Sequence, residues 1–180
     1  MAGNGILETI FHKKPRCGLF FFRRQIAMQY WLIKSEPSVF SIGDLEKKPK
    51  QTTAWDGVRN YQVRNWLRDT IKKGDLAFFY HSSCEIPGIA GVMEVIKAGY
   101  PDPTQFDPED HHYDPSSDPD NPRWYCVDVK FKSKFKRVIT IDELRSHKPL
   151  AKMQVLQRGN RLSITPVTKS EWIFILHHSD

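Results

Sequence analysis

The chain has 180 residues, 39% of them hydrophobic, which is enough for one packed domain and excludes a fibrous or disordered polymer. Its formal charge of +6 is segregated: residues 1–27 carry five Lys or Arg against Glu8, and Asp102 to Asp120 holds seven acids with no Lys or Arg, so what remains is strongly basic. Three widely spaced cysteines without a CxxC pair support neither a disulfide framework nor a zinc site, and no apolar run approaches the ~20 residues that a membrane helix needs.

Residues 1–27 are cationic and nearly acid-free. They suit an organellar presequence or an over-long start, and the second reading is preferred, with Met28 as first residue of the fold. "QYWLIK" (29–34) reads as a buried strand stopped by Ser-Glu-Pro. "FSIGDLEKKP" (40–49) predicts a short helix with Ser41 as N-cap and Pro49 beyond its end. In "TAWDGVRNYQVRN" (53–65) an Asp-Gly turn signal sits at the mouth of a second helix, whose inner face would carry Val63, Trp66, Leu67 and Ile71. Lys72 and Lys73 are expected in its last turn and Gly74 just past its end.

The pattern then turns to strands. "DLAFFYHS" (75–82) is a continuous apolar run, the mark of a strand buried on both faces. "GIAGVMEVI" (88–96) is another, its two glycines signalling a bulge or a close backbone approach. Between Ala98 and Arg123 a Pro- and Asp-rich insertion is expected to be an Ω-like or mobile loop of functional importance. Residues 123–139 alternate, with Tyr125, Val127, Val129 and Phe131 on one face and Lys130, Lys132, Lys134 and Lys136 on the other. T-x-x-E boxes start helices at Thr140 and Thr168, "PLAKMQVLQ" (149–157) reads as a further helix, and "RLSITPV" (161–167) as a strand that Pro166 ends or confines to an edge. Without βαβ regularity, the mixture predicts an α+β domain with a small curved or closed sheet.

Four places carry chemistry. At 55–60, Trp55 offers a stacking face, Gly57 a turn, Arg59 a planar fork for phosphate, and the helix start beyond Asn60 unpaired N–H groups. "WLIKSEP" sets Lys34, Ser35 and Glu36 at a strand end, where a solvated ion pair is the plainer reading. Tyr80 and His81 emerge at the end of an apolar strand, and the lysines of 130–136 form either edge protection or a phosphate track. His111-His112 in the acidic loop are ordinary loop residues in this reading, and no metal or cofactor is expected.

Several long stretches, "YWLIKSEP", "QTTAWDGVRNYQVRN", "FFYHS", "PGIAG", "YPDPTQFDP", "HYDPSSDPDNPRW" and "LSITPV", appear in order and resemble the EVE domain family from about Tyr30 to the last helix. That resemblance implies an α+β, PUA-like fold over residues 28–180, a small mixed β-barrel surrounded by helices. It also implies a monomeric reader of DNA or RNA that takes a flipped, modified base into an aromatic pocket. By the same resemblance the pocket would draw on Trp31, Lys34, Ser35, Trp55, Gly57, Arg59, Asn60, Tyr80 and His81. Phosphates would meet Arg59, Arg64, Lys130 and Lys132. The location would be cytoplasmic in a bacterium and nuclear in a eukaryote. The alternative is ASCH-like amidohydrolase chemistry on a modified nucleoside, using Lys34 and Glu36. Stacking on one ring is worth about 1–3 kcal/mol and flipping a base from a duplex costs about as much, so phosphate contacts must supply the useful affinity and single strands should bind better.

Overall fold

The structure, a computed structural model, describes residues 28–179, and the expectation for residues 1–27 lies outside them. Tyr30–Ser35 (β1), Thr52–Trp55 (β2), Leu76–His81 (β3), Gly88–Pro101 (β4), Tyr125–Thr140 (β5) and Ile164–Val167 (β6) form one sheet in the order β2-β5-β4-β3-β1-β6. Among the described residues only β1 and β3 run parallel; both lie inside the sheet, β3 buried over most of its length and β1 over half of it, in keeping with their apolar runs. Pro166 sits on the edge strand β6, where its missing N–H costs no ladder bond.

The sheet is strongly curled. Three strand spacings separate β2 from β3, roughly 14 Å in a flat sheet at ~4.8 Å per strand. Yet the Trp55 ring of β2 lies 5.5 Å from the Phe79 ring of β3. The bend is made in β4 and β5, whose pairing shifts register four times. Gly91 permits one of these contacts: a Cβ there would stand 2.3 Å from the Ser133 carbonyl oxygen. The close approach expected of the 88–96 glycines is therefore present, at Gly88 as well.

Apolar side chains inside the curl, among them Ile33, Val63, Leu67, Phe79, Met93 and Val129, make one core. A second core covers the outer face, where Trp172 of helix Lys169–His177 stacks on Phe78 at 4.0 Å and on Tyr30 at 4.8 Å. That helix and Ile42–Lys47 both start from the capping residues expected, Thr168 and Ser41, each in a full capping box. Ile141–Ser146 starts at Thr140, also as expected.

Three expectations need correction. Residues 149–157 are not a helix but two 3-10 turns, Lys148–Leu150 and Gln154–Leu156. Pro149 lacks an N–H, and Met153, at φ −59° and ψ 129°, leaves the helical region between them. The second helix, Tyr61–Asn65, widens into a π turn, Trp66–Thr70, and stops at Ile71, which is extended. Lys72, Lys73 and Gly74 thus belong to the turn into β3. Buried Asp75 fixes the chain there by accepting from Lys72 N at 2.9 Å, Gln29 N at 3.0 Å and Trp31 Nε1 at 3.1 Å. Strand β2 was not expected at all: four residues with one buried side chain carry too little periodicity to read.

Candidate functional site

Where the curled sheet stays open, β1 and β2 face each other across a cleft of about 400 Å³. Lys34 and Ser35 come from the end of β1, Thr53 to Trp55 from β2, Val39 and Phe40 from the turn before the first helix, and His112 from the long loop. Trp55 is 9% exposed, packed edge-on against Phe79 yet opening to the cleft. Phe40 meets it at 72° with centroids 6.3 Å apart, so a flat guest lying on one ring meets the edge of the other.

The polar groups around these rings differ in what they have to offer. Ser35 Oγ donates to Phe40 O at 2.7 Å, which spends its proton and leaves acceptor capacity. Burial pulls the Lys34 ammonium below its usual pKa, and Lys34 makes no ion pair among the described residues. Asp56 keeps an exposed edge, but crowding by protein, with Asp102 nearby, pushes its carboxyl above the usual range. Lys48 stands over Phe40 at 6.0 Å.

The long loop is ordered and forms one wall. Its anchor is Asp102, fully buried, which accepts from Arg59 Nη1 at 2.8 Å, Gly57 N at 2.9 Å and Thr104 N at 2.9 Å. Burial alone would raise this carboxyl; the bonds from Arg59, Thr104 and Gly57 outweigh it and hold the pKa low. Arg59 also donates to Thr104 Oγ1 and to His112 O, both at 2.9 Å. Gly57, at φ 71°, lets the His112 ring lie where a Cβ would come within 2.6 Å. Gln105 ties both ends of the loop, donating to Asp102 O and Trp124 O and accepting from Trp124 N. Asp110, His111 and His112 bring three potential ligand atoms within 4.8 Å of one another, with His112 already bonded to Asp110.

Of the nine pocket residues expected, Lys34, Ser35 and Trp55 line the cleft. Trp31 does not: it is 2% exposed, bonded to Asp75 and packed on Trp66 in the inner core. Tyr80 opens to a different cleft, and His81 accepts from Ile42 N at 3.2 Å where β3 meets the first helix. Gly57 and Arg59 act one layer out, building the loop wall rather than touching the cavity. Asn60 does not line the cleft: it is the N-cap of the second helix, its Oδ1 taken by Gln62 N and Val63 N, which already fills two of that helix start's N–H groups. Among the phosphate candidates, Arg64 donates to Arg123 O and Lys132 pairs with Glu94 at 2.9 Å, while Lys130 is exposed and unpaired among the described residues. Glu36 neither lines the cleft nor pairs with Lys34, so the general acid/base pair of the enzymatic alternative is not assembled.

Sequence reading missed Phe40, Asp56 and His112 as site residues. Val39-Phe40 ahead of a capping serine was a usable signal, because two apolar residues at a turn seldom lack a partner or a guest. Nothing local marked His112, which reaches the cleft only through the loop's tertiary fold.

Residues 29–178 match the EVE domain family. The chain is 52% identical to thymocyte nuclear protein 1 of Homo sapiens over 164 residues, covering 82% of this chain and 72% of that protein. Human THYN1 solved in complex with 5-methylcytosine-containing DNA superposes with a TM-score of 0.78 at 51% identity, covering 84% of this chain and 98% of that one. A protein from Pseudomonas syringae gives a TM-score of 0.79 at 45% identity, covering 84% and 99%. An ASCH protein from Zymomonas mobilis, 12% identical with a TM-score of 0.52, shares the fold alone.

Proposed function

The chain belongs to the EVE domain family, and on that footing we propose that it reads a modified nucleobase in DNA, drawing the base into the cleft between Trp55 and Phe40. The observation that carries this is the pairing of an aromatic floor with a desolvated Lys34, unpaired among the described residues, at one mouth of the cavity. A stacked base needs the first, and the strand that bears it needs the second. A relative solved with DNA containing 5-methylcytosine supports that base as the guest. The chemistry agrees. Asp56 is an acceptor for the exocyclic amino group of cytosine, and Val39 with Phe40 offers apolar contact to a methyl. Among the described residues no helix is long and apolar enough to cross a membrane. The name of the relatives supports a nuclear location.

Phe40→Ala tests the reading; Phe40 is partly buried and packs on Trp55 and Phe79, so a thermal melt first shows that the variant is folded. Stacking is worth about 1–3 kcal/mol, so affinity for a single-stranded oligonucleotide carrying 5-methylcytosine should fall by about tenfold at ~1.4 kcal/mol. The preference over unmodified cytosine should shrink with it. Fluorescence anisotropy on both oligonucleotides reads the effect; an unchanged preference would remove Phe40, and with it the proposed slot, from the recognition.

A further inference from the structure

A second cleft, also of about 400 Å³, lies on the other side of Lys34, which lines both. Arg145, Arg158, Ser82 and Ser83 are among its lining, which includes no carboxylate among the described residues; Asp142 is paired with Arg145 at 3.2 Å. Arg158 makes no ion pair among the described residues. Tyr80 is 3% exposed and opens into this cleft, and none of the described residues takes a hydrogen bond from its hydroxyl. Its hydroxyl therefore faces the open cleft with its proton available to a guest. Burial also pushes Tyr80 up to about 12, so at neutral pH it remains a donor. Ser83, on the rim, holds a left-handed φ of 53°, a conformation that non-glycine residues adopt rarely and that recurs at ligand clamps.

Its charged lining is cationic, Lys34, Arg145 and Arg158, and beside these stand three hydroxyls and the neutral amides of Gln157 and Asn160, a set that matches a tetrahedral oxyanion bound by an arginine fork. We propose that this cleft seats a phosphate group, supplied by the backbone of the strand whose base occupies the first cleft. Tyr80 and the two serines donate to its oxygens, while Arg158, Arg145 and Lys34 balance its charge. The strand as the source rests on the base-reading assignment; the anion chemistry of the cleft does not. Lys34 then bridges the two, since one ammonium serves both cavities.

Tyr80→Phe removes only the hydroxyl and Arg158→Ala only a surface side chain, so both variants should keep the native fold by circular dichroism. Wild type and variants are titrated with free 5-methyldeoxycytidine, with a single-stranded oligonucleotide carrying 5-methylcytosine, and with inorganic phosphate. Each variant should bind the oligonucleotide about tenfold more weakly at about 50 mM salt, Arg158→Ala should reduce the salt slope by about 1, and nucleoside binding should not change. Unchanged binding of both the oligonucleotide and inorganic phosphate in both variants would overturn the phosphate seat, while retained nucleoside binding would leave the base reading standing. If the variants weaken the oligonucleotide but wild type ignores the nucleoside, the phosphate seat is upheld and the base reading falls. Loss of inorganic phosphate binding alone, with the oligonucleotide unaffected, would assign the cleft to free phosphate and overturn the strand as its source.

Discussion

Asp102→Ala is expected to destabilise the protein by about 3–5 kcal/mol, the usual cost of breaking a buried ion pair by removing one partner. The carboxylate is fully buried, and it collects Arg59, Thr104 and the Gly57 N–H where the long loop meets the Trp55 turn. Without it, the half-buried Arg59 guanidinium and the Gly57 N–H lose their acceptor together. At about 2–4 °C per kcal/mol for a chain of this size, thermal melting should drop on the order of 10 °C. Arg59→Ala should fall in the same range, and the double variant should cost less than the two combined, because they break one interaction. Additive losses would mean that Arg59 and Asp102 act separately.

Acid should reach the same joint. Asp102, Asp110 and Asp114 are all held below the ordinary carboxylate range, the last two chiefly by the His112 N–H and by Trp124 Nε1–H. A carboxylate with a depressed native pKa contributes stability that is present above its unfolded value, about 3.9, and is lost as pH falls through the lower native one. Asp56 works in the opposite sense: its raised pKa means that strain is relieved as it protonates. Melting temperature should therefore hold steady down to about pH 4–5 and decline below it, and Asp102→Asn should flatten the decline.

Trp55→Ala should cost both stability and recognition. A tryptophan that is 9% exposed and packed on Phe79 and Phe40 belongs to the core, and its truncation is worth about 3–5 kcal/mol. Against a total stability of about 5–15 kcal/mol, most molecules stay folded at room temperature, so binding can still be measured. With the floor of the cleft gone, oligonucleotide affinity should fall by a further 1–3 kcal/mol, about five- to 150-fold. Trp55→Phe keeps a ring in place and should recover most of the folding energy but only part of the affinity. If Trp55→Ala loses stability while retaining full preference for the modified base, the indole is core and nothing more.

Much of the architecture was legible in the residues. Strands β1, β3 and β6 announced themselves by apolar runs and by Pro166, and the helices at Ser41, Thr140 and Thr168 by their capping residues, because these signals are local. What failed was non-local. Helix Tyr61–Asn65 stops short because Asp75, beyond its end, holds the following turn against Trp31, and no periodicity within the helix reports that. Trp55 lines the cleft as its residue type suggested, while Arg59 does not, for one reason: sequence gives residue type but not the partner. An arginine beside a turn suits a phosphate until a buried aspartate 43 positions away claims its fork. The lysine stripe of 130–136 illustrates the same limit, since Lys132 is paired across the ladder with Glu94.

If a modified base lies against Trp55, the five tryptophans report it within one spectrum. In a nitrogen-15 correlation spectrum, each indole N–H gives its own signal, assigned by Trp55→Phe and Trp31→Phe. On titration with a single-stranded oligonucleotide containing 5-methylcytosine, the Trp55 signal should shift or broaden in step with binding, while Trp31, buried and bonded to Asp75, should stay in place. A bound state in which Trp55 does not move would contradict the account, whatever the affinity.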